Sequence, residues 1–410
     1  MSQRPLRFVH ASDFHLEMPL QGVAEVPDHL RQRFVDAPYA AAEKVFDTVL
    51  AEEAEFLVLS GDILHPAGTG PRGPLLLSEQ FARLAQRQIP VYWAAGAVDP
   101  PEVWPAFLPL PENVHVSPRG RVTQVVHQRD DMSVARVLLA SRDGNRMFRA
   151  GDFAPDPAGL FCVAAVHGGI ETAALGMNGI DYWALGGRHD RSTLCSAPPM
   201  AHYAGSPQGR RPDEAGAHGC TIVQVDENRQ PRTQMASTDT IRWLSERVVV
   251  EVSTSRSELE LLLRERLRTL VETTPKIDLL VSWTVAGDGP LIAQLRRGKL
   301  AAELLDVLRS EHGFAAPAAW SVSMEVEPLA GLPPEWYEQE TIRGDFLRAI
   351  RQFEMNQGEP LELERYMSEA HLAGALAPAA AISDKTVRMA VLHDVAWLGI
   401  DLLSGEEARS

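Results

Sequence analysis

The chain has 410 residues and a mass of 45.0 kDa, more than one small core holds, so two or three domains are expected. Hydrophobic residues make up 45% and charged residues 23%, which excludes a disordered chain, and the longest apolar stretch, Leu372 to Ile382, is far below the roughly 20 residues that cross a bilayer, so no membrane partner is expected. The net charge of -16 argues against a surface that grips nucleic acid by bulk basicity, since Lys and Arg supply most nonspecific affinity for phosphates; contact with DNA would need bound cations, a local basic strip or a basic partner.

The N-terminal MSQRPLRFVHASD reaches an aspartate almost at once, without the long apolar region of a signal peptide. The cysteines Cys162, Cys195 and Cys220 are odd in number and lack metal-site spacing. Together these predict a reduced, cytoplasmic protein with the thiols in packing roles.

In chain order, Leu6–His10 reads as a first strand. Helical spacing of Ala41, Val45, Phe46 and Val49 predicts a helix over Tyr39–Ala54. Phe56–Ser60 is a continuous apolar run, the mark of a strand buried on both faces. A second helix is expected across Leu75–Gln88, and strands at Pro90–Ala95, Val134–Ala140, Phe161–Val166, Tyr182–Leu185 and Thr221–Val225. This alternation predicts a layered α/β domain. Asn228–Thr240, polar and proline-containing, reads as a linker. Beyond it, strands at Arg247–Val252, Ile277–Val285 and Trp320–Val326 alternate with helices at Ser255–Thr273 and Leu291–His312, a compact α/β unit. Past Pro333 the chain turns helical, over Ile342–Phe353, Leu361–Ala373 and Lys385–Gly399. The segment from Gly68 to Gly73 has the spacing of a dinucleotide-binding loop, but Pro71 removes an amide such a loop presents, and a surface loop is expected instead.

Four apolar strands in succession end in Asp or His. Leu6–His10 delivers Asp13 and His15; Phe56–Ser60 delivers Gly61 and Asp62; Phe161–Val166 delivers His167; and Tyr182–Leu185 delivers Gly186, Gly187, Arg188 and His189. Any one of these is an ordinary turn or a satisfied histidine. Together they matter, because side chains at the carboxyl ends of strands in an open α/β sheet converge. Mixed Asp and His donors suit Mn, Fe or Zn better than Ca.

The order Asp-x-His, Gly-Asp, a Gly-rich turn, His-Gly and Leu-Gly-x-x-His resembles the calcineurin-type metallophosphoesterases. More narrowly it is similar to the SbcD and YhaO-like DNA-repair exonuclease subunits, a likeness that the stretch from Tyr203 to Arg211, with Glu214, Gly216 and Gly219, strengthens. The resemblance covers Leu6 to Val225. It implies a layered β-sandwich flanked by helices over residues 1–240, an α/β cap over 245–330 and a helical partner-docking segment over 335–410.

It also implies two divalent ions, typically manganese, sharing a bridging aspartate. The first ion would be held by Asp13, His15, Asp62 and His189, with Asp62 as the bridge; the second would take Asp62, His167, an asparagine and another histidine. Those last two positions are Ala97 and Gly187 here, and the histidine that would protonate the leaving oxygen is Val98. Paired ions stabilise the attacking and leaving oxygens together, and general-acid help is worth about 10²–10⁴-fold, so the catalytic set is incomplete. Arg188 and His65 are conceivable substitutes, though each reads more simply as a solvated or supporting residue. Arg210, with Arg211 beside it, is a candidate phosphate contact, and the clusters Arg264–Arg268 and Arg296–Lys299 read as solvated faces.

Three functions follow as expectations. The first is a DNA exonuclease subunit that holds one ion and has reduced or lost nuclease activity. The second is an active exonuclease or phosphodiesterase with an atypical second metal site, and the third, weaker, is a small-molecule phosphoesterase. The partners that the resemblance implies are DNA and an SbcC- or YhaN-like coiled-coil ATPase, and a homodimer is compatible with it. The stripe Leu347, Ile350 and Phe353 fits either ATPase docking or an internal core.

Overall fold

The structure is a computed structural model that describes residues 5–23, 26–65, 70–168, 170–171, 175–176, 179–196, 199–327, 332–356, 361, 363–366, 382 and 384–407. It divides into two compact units. The first comprises residues 1–245, 268–282 and 311–322, and the second residues 246–267, 283–310 and 323–410.

In the first unit the chain runs β1 (Leu6–Ala11), α1 (Asp28–Ala51), β2 (Leu57–Leu59), α2 (Arg72–Ala85), β3 (Val91–Trp93), β4 (Val114–Val116), β5 (Val122–Arg129), β6 (Met132–Ala140), β7 (Phe161–His167), β8 (Tyr182–Gly186), β9 (Ser192–Cys195), β10 (Met200–Tyr203), β11 (Gly219–Val225) and β12 (Pro231–Ser237). Two six-stranded sheets result, in the orders β12-β11-β1-β2-β3-β4 and β5-β6-β7-β8-β10-β9.

Side-chain alternation explains the layering. Phe8 of β1, Phe56 just before β2, Val58 of β2 and Tyr92 of β3 share one core with Val137, Phe161, Val163 and Tyr182 of the second sheet. The residues between them, Val9, Leu57, Leu59, Val91 and Trp93, face the other way onto Val45, Phe46 and Val49 of α1 and Leu77, Phe81 and Leu84 of α2. On the outer face of the second sheet, Cys162, Ala164, Val166, Trp183 and Leu185 pack with Phe148, Phe153 and Ile170. The expected layered sandwich flanked by helices is thus the observed one. Strands apolar on both faces read as unbroken hydrophobic runs because both faces are covered.

The remaining elements are β13 (Ile241–Val249), α3 (Arg256–Thr273), β14 (Asp278–Ala286), α4 (Pro290–Arg296), α5 (Lys299–His312), β15 (Ala319–Val326), a single turn α6 (Pro334–Tyr337), α7 (Ile342–Met355) and α8 (Lys385–Glu407). The third sheet has the order β13-β14-β15. In the second unit Leu347 and Ile350 of α7 pack against Leu392, Ala396 and Ile400 of α8, with Phe353 against the same cluster. The apolar stripe of α7 is internal core.

Several elements differ from expectation. The linker over Asn228–Thr240 is largely β12, paired antiparallel with β11 from Gly219–Ser237 to Val225–Pro231. As the edge strand it buries only part of its side chains, so its sequence lacks a strand's apolar signature. The helix α1 starts at Asp28 and continues through Pro38, a residue that ordinarily ends a helix. The single helix expected over Leu291–His312 is broken at Gly298, whose φ is +83°, into α4 and α5. Gly68 and most of Leu361–Ala373 lie outside the described residues. The described part of the Gly-rich segment opens α2, where the Gly73 amide already donates to the Glu17 carboxylate. All three cysteines are free thiols, and among the described residues no helix is long and apolar enough to cross a membrane.

Candidate metal centre

The parallel strands β1 and β2 of one sheet, and β7 and β8 of the other, end at a common rim. Asp13 and His15 follow β1, Asp62 follows β2, His167 closes β7 and His189 follows β8. Three of these, Asp13, His15 and Asp62, have φ of 56°, 43° and 51°, left-handed values uncommon outside glycine. Backbone hydrogen bonds between the two turns hold them there. The Asp13 N–H donates to the Gly61 carbonyl at 2.9 Å, and the His15 N–H to the Asp62 carbonyl at 2.8 Å. Strain of this kind persists where surrounding contacts over-determine it, commonly at functional sites.

Five sequence-expected residues come together as two triads. Donor atoms of Asp13, His15 and His189 lie within 4.8 Å of one another, as do those of Asp13, Asp62 and His167. Asp13 is common to both, whereas the resemblance gives Asp62 the shared position. All but His189 are buried.

Two of the histidines, His167 and His189, are aimed by what holds the other nitrogen. His167 Nδ1 lies 2.9 Å from the Ser60 carbonyl, leaving Nε2 at 3.1 Å from Asp62 Oδ2. His189 Nδ1 lies 2.7 Å from Glu214 Oε1, leaving Nε2 at 3.1 Å from His15 Nε2. Two imidazole nitrogens facing each other need a proton between them, or a cation to which both lend lone pairs. Carboxylate or carbonyl support behind a histidine is the usual outer shell of a metal site. The donor set of two carboxylates and three imidazoles therefore fits a divalent transition ion.

Electrostatics agree. Burial pushes the His15 imidazole down to about 3, so it is neutral with a lone pair to give. Burial alone would raise Asp62, but the His167 hydrogen bond and charge, with the Val98 amide, hold it at about 2. Burial would likewise lower His167, but Asp62 and Asp13 bring it to about 9. Such a pair, strongly ionised when metal-free, exchanges its proton for a cation as binding proceeds. Glu214 raises His189 through their hydrogen bond.

The positions lacking family side chains contribute backbone instead. The Val98 N–H donates to Asp62 Oδ1 at 3.0 Å, and the Gly187 N–H to the Asp13 carboxylate at 3.0 and 3.2 Å. Asp99, fully buried, accepts from the amides of Gly96, Asp62 and Ile63 at 2.6, 3.0 and 2.8 Å, which ties the β3 turn to the β2 turn. Burial, with the charge of Asp62, raises its carboxyl to about 7. Gly96 is irreplaceable here, since a Cβ would fall 2.0 Å from Asp62 Oδ1.

Residues 6–186 match the calcineurin-like phosphoesterases. They are a calcineurin-like metallophosphoesterase domain. The chain is also similar to the uncharacterized metallophosphoesterase YhaO of Bacillus subtilis (strain 168), with 27% identity over 236 residues. That alignment spans 54% of this chain and 57% of that protein, little more than half of either. Members of the superfamily typically bind divalent metals, and the two triads are the residues of this chain that would hold them.

Arg210, expected as a phosphate contact, has its guanidinium committed to backbone carbonyls. It is buried, with Nη1 donating to the carbonyls of Phe14 and His15 at 3.1 and 3.0 Å and Nη2 to that of Met18, and so it braces the loop carrying His15. Arg188 lies over the Tyr203 ring at 4.6 Å. His65 approaches His15, with ring centroids 6.2 Å apart. Glu214 and Asp99 were not read as site residues from the sequence. Their signal was positional: Glu214 lies four residues past Arg210 in the family-like loop, and Asp99 closes the turn that begins at Gly96.

Proposed function

We propose that this chain is the metallophosphoesterase subunit of a DNA-repair exonuclease complex of the SbcD and YhaO kind. In this reading it holds one divalent cation, manganese by analogy with the resemblance, and its phosphodiester hydrolysis is reduced or lost. One observation carries the proposal: the triad of Asp13, His15 and His189 is complete and braced by Glu214, whereas positions 97, 98 and 187 offer only Ala, Val and Gly side chains. A bound cation supplies Lewis-acid stabilisation of a phosphoryl oxygen. The chain's residues do the rest: Glu214 and the Ser60 carbonyl orient the imidazoles, and the Val98 and Gly187 amides fix the two carboxylates. No side chain stands at position 98 to move a proton to a leaving oxygen.

By the same reading residues 1–240 are the phosphoesterase domain, 245–330 the DNA-facing cap and 335–410 the segment that docks a coiled-coil ATPase of the SbcC or YhaN kind in the cytoplasm. The acidic balance favours a partner that brings the basic surface.

A second reading, an active exonuclease with an atypical second metal site, draws on the triad of Asp13, Asp62 and His167. Metal content by mass spectrometry, with manganese-dependent cleavage of linear duplex DNA, separates the two. The first expects close to one ion per chain and little cleavage. Two ions with robust cleavage that Asp62→Ala abolishes would replace it with the second.

A further inference from the structure

The row of strand ends that carries the site continues one strand beyond its ligands. The strands β6, β7 and β8 are parallel, with Ala140 opposite Val166 and His167 opposite Gly186. Continuing that register puts Arg142, Gly168 and Gly187 in one line across the rim. The Gly168 N–H donates to the Gly186 carbonyl at 2.9 Å, and the Arg142 N–H donates to the Ala95 carbonyl at 3.0 Å. Arg142 is therefore tied to the turn that holds Ala97 and aligned with the strand end that holds Gly187, the two positions where family ligands are missing.

Its guanidinium lies over Gly168. A Cβ at Gly168 would stand 2.5 Å from Arg142 Nη1, and one at Gly187 would stand 3.4 Å from both His167 Nε2 and the Gly168 nitrogen. Gly168, with φ of +53°, thus leaves open the space that the guanidinium enters. Arg142 Nε donates to the Gly144 carbonyl at 3.0 Å, and among the described residues no carboxylate pairs with this cation. Arg188 and Arg210, by contrast, are engaged with Tyr203 and with backbone carbonyls.

A phosphodiester brought to Asp13 and Asp62 adds negative charge to two buried carboxylates and needs positive charge on the side away from the first triad. A guanidinium fork matches two phosphate oxygens and keeps its charge at any working pH. We propose that Arg142 is the phosphate-binding residue of this site, a fixed cation over Gly168, the residue that follows His167 of the second triad. The proposal rests on the metallophosphoesterase reading above.

The test is calorimetric titration of inorganic phosphate into the full chain loaded with manganese, with metal content measured in parallel. Arg142→Gln is expected to weaken phosphate about 10- to 100-fold, the worth of lost charge-assisted hydrogen bonds, at unchanged metal content. Arg142→Lys should lose less, and it decides the matter if the glutamine variant fails to fold. Arg188→Gln should bind as the wild type does. Metal-loaded wild type that ignores phosphate, undiminished affinity in Arg142→Gln, or an equal loss in Arg188→Gln would each overturn the assignment while sparing the metal site. Wild type that retains no metal would overturn the underlying reading, and this proposal with it.

Discussion

Replacing Glu214 by glutamine removes one charge and changes almost no volume, yet the site should not tolerate it. The carboxylate takes hydrogen bonds from two donors at once, with Oε1 at 2.7 Å from His189 Nδ1 and Oε2 at 2.8 Å from the Arg210 amide, and Arg211 Nε lies in an ion pair 3.4 Å from Oε1. Glutamine has one acceptor for these two places. If its oxygen stays with the Arg210 amide, its NH₂ faces His189 and forces the imidazole proton onto Nε2, the atom 3.1 Å from His15 Nε2. A proton then occupies the ligand lone pair. If the amide flips, two N–H groups confront each other in a buried place, a mismatch worth about 1–3 kcal/mol. Loss of such an outer partner typically weakens a metal about 10- to 100-fold, or roughly 1.4–2.7 kcal/mol. Manganese titration of the metal-free Glu214→Gln protein should show this drop, with thermal unfolding confirming a folded chain. Wild-type affinity in Glu214→Gln, alongside lost affinity in His189→Ala, would refute the view that Glu214 sets the tautomer of His189.

Three further outcomes are expected. In Gly96→Ala the added methyl collides with Asp62 Oδ1, so metal content by mass spectrometry should fall; full occupancy would mean the turn yields more easily than its packing suggests. Arg210→Ala removes the guanidinium donor from the carbonyls of Phe14, His15 and Met18, although the His15 carbonyl keeps the Met18 N–H at 3.1 Å, and at about 1–3 kcal/mol for each carbonyl left without a partner its thermal midpoint should drop sharply; unchanged stability with weakened DNA binding would favour Arg210 as a phosphate contact. Burial, helped by Arg191, holds the His202 imidazole at about 3 in the folded chain, against about 6.5 when unfolded. The unfolded chain thus binds more protons between these values, and the stabilisation, complete above about pH 6.5, is lost as pH falls toward 3. Urea titrations of metal-free protein should show His202 contributing about 1.4 kcal/mol per pH unit in that window, and a His202→Gln variant with the wild-type slope would contradict it.

The candidate ligands were legible because each follows a strand buried on both faces, whose apolar run points at the residue after it. Asp13, Asp62 and His167 stand out against such neighbours. Glu214 and Asp99 have no such background, and their importance arises from donors distant in the chain, His189 for the one and Ile63 for the other. Arg142 was invisible for a related reason, since only the register of β6 on β7 shows what it lies beside. Among the strands, β12 escaped notice because an edge needs little apolar surface. In α1 a proline hid the first turns, although Phe34 and Ala37 before it are buried against Ile241 and Trp243.

The division of donors between the two sheets has a mechanical meaning. Asp13, His15 and Asp62 stand on one sheet, and His167 and His189 on the other, so no ion can complete either triad unless the sandwich is closed. Occupancy then acts as a rivet through the rim, adding RT ln(1 + [M]/Kd) to the cohesion of the layers. A chelator would then loosen the fold as well as empty the centre, so that holding the layers together is reason enough to keep a cation whatever the rate of hydrolysis.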